Sequence, residues 1–90
     1  MAFYTFCLDD EGGTYLAQAR GASLQQATSA WCAGLTDADL AGWGLSRVDL
    51  DGMLLNGSPV PLSGQTNVWC QTGSTRAGHF ILLNIIKTAE

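Results

Sequence analysis

The stretch from His79 to Thr88 is nearly continuous in apolar and β-branched residues, and it limits the possible folds more than any other part of the chain. The run is broken by Asn84 and is far too short to cross a bilayer, so the protein itself must cover it. Such a run reads as a central strand covered on at least one face. Ahead of it, Asn67 to Thr72 reads as a partner strand, with Gly73-Ser74-Thr75-Arg76-Ala77-Gly78 as the turn between them.

The opposite end of the chain has the same character. Phe3 to Leu8 and Thr14 to Ala19 are rich in β-favouring residues, and Asp9-Asp10-Glu11-Gly12-Gly13 between them is a cluster of turn formers, which together predict a hairpin. Alternation places Tyr4, Phe6 and Leu8 on one face and Phe3, Thr5 and Cys7 on the other. Apolar residues on both faces put this hairpin inside a sheet rather than at its rim.

Between the hairpins the period changes. Ser23-Leu24-Gln25-Gln26 fits a capping box, and Leu24, Ala27, Ala30 and Trp31 follow at spacings of three and four. A helix is expected from Leu24 to Ala33, with Gly34 in the left-handed terminating position. Thr36-Asp37-Ala38-Asp39 can cap a second, short helix over Asp37 to Ala41, stopped by Gly42-Trp43-Gly44. Ser46-Arg47-Val48-Asp49 is a further cap-like start, with Leu50, Met53 and Leu54 on one helical face and Asn56-Gly57 at its end. The competing reading makes Asp51-Gly52 the turn of a hairpin joining Val48-Asp49-Leu50 to Met53-Leu54-Leu55; the helix is preferred narrowly. Ser58-Pro59-Val60-Pro61 reads as extended loop. The expected fold is α+β in a single domain over 1–90: a four-stranded antiparallel sheet of two hairpins, with a principal helix packed on one face, in the order ββα(α)ββ.

Composition narrows the function classes. With 47% hydrophobic and 13% charged residues, ninety residues form a core and leave apolar side chains at the surface, which favours self-association or partner binding. The net charge is −4, and the basic residues Arg20, Arg47, Arg76 and Lys87 are scattered. Nucleic-acid binding needs clustered cations, so a basic protein is the better-matched partner. Cys7, Cys32 and Cys70 are odd in number and show no C-x-x-C spacing, which fits a reducing, cytoplasmic compartment. The opening Met-Ala-Phe-Tyr-Thr lacks the basic and apolar regions of a signal peptide. No membrane partner is expected.

Little in the sequence points to chemistry. His79 is the only histidine, so a thiol–imidazole site would need Cys70 and His79 to meet across the second hairpin; no local sequence supports this, and Cys70 reads as a small apolar side chain. Cys7, Cys32, Cys70 and His79 lack the close pairs of a zinc site. Asp49-Leu50-Asp51-Gly52 resembles a fragment of a calcium loop, but Val60 falls where the closing acid belongs. No phosphate-binding glycine loop occurs. The expectation is a non-enzymatic chain without cofactor or metal.

The acids are the more informative residues. Three of the eight lie at 9 to 11 and four at 37 to 51, forming two acidic loops. Solvated loops account for at least one of these. For the other, Asp37, Asp39, Asp49 and Asp51 around Trp43 make an aromatic anchor in an acidic rim, suited to a basic protein surface. Trp31 and Trp69 read as core.

The segment Tyr4 to Tyr15, a strand, Asp10-Glu11-Gly12-Gly13 and a second strand, followed by the Ser23-capped helix, resembles the start of HicB-type antitoxins over the opening third of the chain. The sequence departs from that pattern after the second strand, where only Gly21 and Ala22 precede the helix and no DNA-binding helix-turn-helix follows. In profile, the acidity, small size and lack of chemistry also resemble cytosolic immunity proteins that neutralise bacterial toxins. The function expected is a small acidic immunity or antitoxin-like inhibitor of another protein; the alternative is a homo-oligomeric accessory or structural protein.

Overall fold

The computed structural model describes residues 1–10, 13–55 and 57–90. β1 (Ala2–Asp10) and β2 (Gly13–Gly21) form the first hairpin; α1 (Leu24–Gly34), α2 (Asp37–Gly42) and α3 (Arg47–Leu55) follow; β3 (Val60–Pro61), β4 (Val68–Ser74) and β5 (Phe80–Ala89) complete the chain. The strands make one antiparallel sheet in the order β2-β1-β5-β4-β3. The two ends of the chain are therefore neighbours at its centre, with Phe6 opposite Ile85 and Leu8 opposite Leu83.

Alternation decides which face is covered. Tyr4, Phe6 and Leu8 of β1 and Ile81, Leu83 and Ile85 of β5 are buried, and the residues between them are only half-buried. The helices lie on that one face. Trp31 of α1 stacks on Phe6, with ring centroids 4.9 Å apart and planes 2° from parallel. The near-continuous apolar run of β5 is thus a central strand covered on one side, as its pattern predicts.

Three expectations need correction. The sheet has five strands among the described residues, because Val60 and Pro61 pair with Cys70 and Trp69. Pro59 and Pro61 force extended backbone but remove two N–H donors, so the segment makes a strand only two residues long, at an edge. Second, the first hairpin is half inside the sheet and half at its rim: β1 is internal, and β2 is an edge. On the uncovered face β2 carries Thr14, Gln18 and Arg20 with one apolar residue, Leu16, and that pattern suits a rim. Third, Gly34 is inside α1, which ends on an extended Leu35. Among the described glycines the left-handed region is occupied by Gly44, Gly64 and Gly78, with Gly13 close to its border. Asp51 and Gly52 lie within α3, as the preferred helical reading has it, and turn no hairpin. The turn residues Glu11 and Gly12, and Asn56 at the end of α3, lie outside the described residues.

Local capping explains why the middle is helical. Ser23 Oγ accepts from the Gln26 amide at 3.2 Å and Gln26 Oε1 accepts from the Ala22 amide at 3.2 Å, starting α1. Thr36 and Asp39 exchange reciprocal bonds of 3.0 and 2.9 Å at the start of α2, and Ser46 and Asp49 do the same at 3.1 and 3.2 Å for α3. Each such cap contributes about 1 kcal/mol, enough to tip a short segment toward helix. At the end of α2 the left-handed Gly44 donates to Ala41 O and Leu45 to Leu40 O, a Schellman ending that reverses the chain.

The helix carbonyl ends borrow donors from elsewhere. Neither α1 nor α3 has a basic residue in its last turn. Arg47 of α3 donates to Cys32 O at 2.9 Å and Leu35 O at 2.6 Å, closing the end of α1. Gln71, 4% exposed on β4, donates to Met53 O at 2.8 Å and ties α3 to the sheet. These three bonds go to carbonyls at helix ends, where the regular ladder of backbone bonds runs out.

Gly21 marks where α1 sits down on the sheet. A Cβ built there would lie 2.4 Å from the Ala27 amide nitrogen, a backbone atom that cannot swing aside as a flexible side chain could. Gly21→Ala is therefore expected to cost about 1–3 kcal/mol. Chemical denaturation of the variant beside the parent chain measures it; an unchanged midpoint would show that α1 is not seated this closely.

Candidate binding surface

The structure divides the five residues singled out above into separate places. Trp43 follows directly on α2, and its ring stacks on Tyr15 of β2 with centroids 4.9 Å apart and an interplanar angle of 16°. Tyr15 lies opposite Leu8, one register step from the Asp9–Thr14 pair. The stack therefore holds the turn end of the first hairpin against the α2–α3 corner. Asp37 and Asp39, both exposed, stand in the first turn of α2, the short helix that Trp43 ends.

Asp49 and Asp51 do not join them. Two positions apart on a helix, they point roughly 200° apart around its axis. Asp49 accepts from the Ser46 amide and, at 3.0 Å, from the Arg76 amide in the β4–β5 turn. Asp51 faces α1, where the Cys32 thiol donates to it at 3.8 Å. The candidate surface thus keeps Trp43, stacked on Tyr15, and the exposed Asp37 and Asp39 of the same helix, while Asp49 and Asp51 serve contacts within the chain. Tyr15 was the missed member. Its pairing with Trp43 crosses from sheet to helix layer, and no local pattern carries that information.

The thiol–imidazole pair does not form. Cys70 is opposite Asn84, five residues along β5 from His79, which is roughly 16 Å of strand. Burial pushes the Cys32 thiol above its ordinary value, and the Asp51 charge adds to this against the opposing pull of Arg47. Cys7 is raised as well, by burial and then by Asp9. Neither has the lowered value of a reactive thiolate. Among the described residues no group of three or more His, Cys, Asp or Glu side chains could hold a metal ion.

A cleft of about 820 Å³ runs between α1 and the segment after α3, lined by Leu24, Thr28, Cys32, Leu54, Pro59 and Gln71. Its walls come from three elements distant in sequence, which is why the sequence gives no sign of it. Among the described residues no helix is long and apolar enough to cross a membrane. Comparison with protein-family models, with curated proteins and with solved structures finds no match in any of the three.

The capping acids set an acid limit on the helical layer. Asp39 is held below the ordinary 3.8 by hydrogen bonds from the Thr36 backbone and side chain. Burial pushes Asp49 up, but the bonds from the Arg76 and Ser46 amides and the Ser46 hydroxyl outweigh it and bring it below 3.8. Both carboxyls bind protons less readily folded than unfolded. Their stabilising effect is complete above the unfolded value and disappears as pH falls through the folded one. Far-UV circular dichroism during acid titration should show helix signal lost below about pH 4, and Asp39→Asn with Asp49→Asn should flatten that part of the curve while lowering stability at neutral pH. An acid transition unchanged in the double variant would assign it to other groups.

Proposed function

We propose that this chain is a non-enzymatic, cytoplasmic protein-binding domain, a small acidic inhibitor of the immunity or antitoxin kind, whose partner is a basic protein. One observation carries this reading: Trp43, at the end of α2, stacks on Tyr15 of β2, and the same short helix exposes Asp37 and Asp39 in its first turn. Stacked aromatics offer a rigid apolar contact at low entropic cost, and aromatic anchors are enriched in binding hot spots. The surrounding acids steer a basic surface toward them and speed encounter. The raised thiols and the separation of Cys70 from His79 are consistent with binding rather than catalysis.

Asp37 and Ala38 are exposed at the start of α2, so both can be changed with little effect on the core. With a partner recovered by affinity capture from the native host, Asp37→Lys combined with Ala38→Lys should slow association about tenfold or more at low salt. The effect should shrink as salt rises, with circular dichroism unchanged. An association rate that ignores both the substitutions and the salt would overturn the proposal. A second reading, a homo-oligomeric accessory protein, draws on one specific feature, the unprotected outer edge of β2.

A further inference from the structure

The two edges of the sheet end differently. β3 is two residues long, and Pro59 and Pro61 leave only Val60 between them to donate an N–H, so β3 offers no template for another strand, and only the four residues of β4 beyond it lack a strand partner on that side. β2 is nine residues long and pairs with β1 from Ala2–Gly21 to Asp10–Gly13 without a register shift. It contains no proline and no lysine, and among the described residues no loop or helix backbone group hydrogen-bonds to its outer side. Proteins usually blunt such an edge with a bulge, a proline, a lysine or a covering segment. Leu16, the one apolar residue of β2 on the uncovered face, is 70% exposed near the middle of the strand.

We infer that β2 pairs with β2 of a second copy of this chain, antiparallel about a twofold axis, to form one continuous ten-stranded sheet. The charges of the uncovered face favour a copy over a foreign strand. Arg20 lies opposite Phe3 at one end of the β1–β2 pair, with its guanidinium 4.4 Å from the centre of the Phe3 ring. Among the described residues Arg20 forms no ion pair within its own chain. Asp9 lies opposite Thr14 at the other end, accepts from the Thr14 hydroxyl and shares the same face. Antiparallel pairing centred on Ala17 sets Arg20 of each copy opposite Thr14 of the other, in the row that continues to Asp9. The twofold axis supplies this contact twice, whereas a foreign strand would have to carry both charges at matching positions. The two Leu16 side chains become diagonal neighbours on the same face. The pairing uses up the long open edge of each copy and leaves at both ends only the two-residue β3 and the short stretch of β4 beyond it, so the assembly closes at two chains and does not extend into a fibre.

The test is the mass of the intact chain by light scattering, from micromolar to near-millimolar concentration, with circular dichroism in parallel. The parent chain should reach twice its 9.5 kDa. Leu16→Lys and Arg20→Glu should each return it to the single-chain mass with an unchanged dichroism spectrum. Joining Asp9→Lys to Arg20→Glu should restore the dimer by exchanging the charges. A single-chain mass at every concentration overturns the inference and leaves the edge to a foreign strand. So does a dimer indifferent to both single substitutions, or a double variant that stays monomeric.

Discussion

Everything in this fold rests on the pairing of β1 with β5. These strands come from opposite ends of the chain, with Phe3 opposite Ala89, so their contact closes a loop of nearly the whole chain. That closure costs chain entropy, and the cost is offset by apolar burial on one face of the two strands, where Phe6, Leu8, Ile81, Leu83 and Ile85 are all fully buried. Each strand also carries its own hairpin partner, so joining the two central strands assembles four of the five strands at once.

The helical layer depends on that sheet for more than burial. α1 is fixed at its start by the close approach to Gly21 and across its middle by the Phe6–Trp31 stack. Its end is closed by Arg47, which belongs to another helix, and α3 is tied down by Gln71 of β4. Short helices such as these are marginal in isolation, and bonds from distant elements give them tertiary support that their own sequences lack. The same tertiary support shapes the surface, since the Tyr15–Trp43 stack exists only because β2 and the α2–α3 corner are held side by side.

What the sequence revealed and what it hid follow one physical division. Strand alternation, the Ser23, Thr36 and Ser46 caps and the Gly44 stop are local, and each could be read from a few neighbouring residues. The helical reading of α3 won over the hairpin because Ser46 and Asp49 satisfy each other's backbone amides, an advantage an Asp51-Gly52 turn does not supply. Features made between elements were not legible. Gly34 looked like a terminator because Arg47 could not be placed beside it. Val60 looked like loop because its partner Cys70 lies across an irregular segment. The acids of the candidate surface were found by composition, but two of them, Asp49 and Asp51, turn inward to contacts that only the fold defines.

Native-state hydrogen exchange is the most direct test that the β1–β5 pair is the cooperative centre. Local opening reports which backbone bonds require global unfolding to break. The amides shared by β1 and β5, from Tyr4 to Leu8 and from Leu83 to Lys87, should exchange most slowly and with one common free energy, while those of α2 and β3 exchange sooner. If α1 amides instead outlast them, or if β1 and β5 exchange with unrelated free energies, the chain is organised around its helix and the central pairing is secondary.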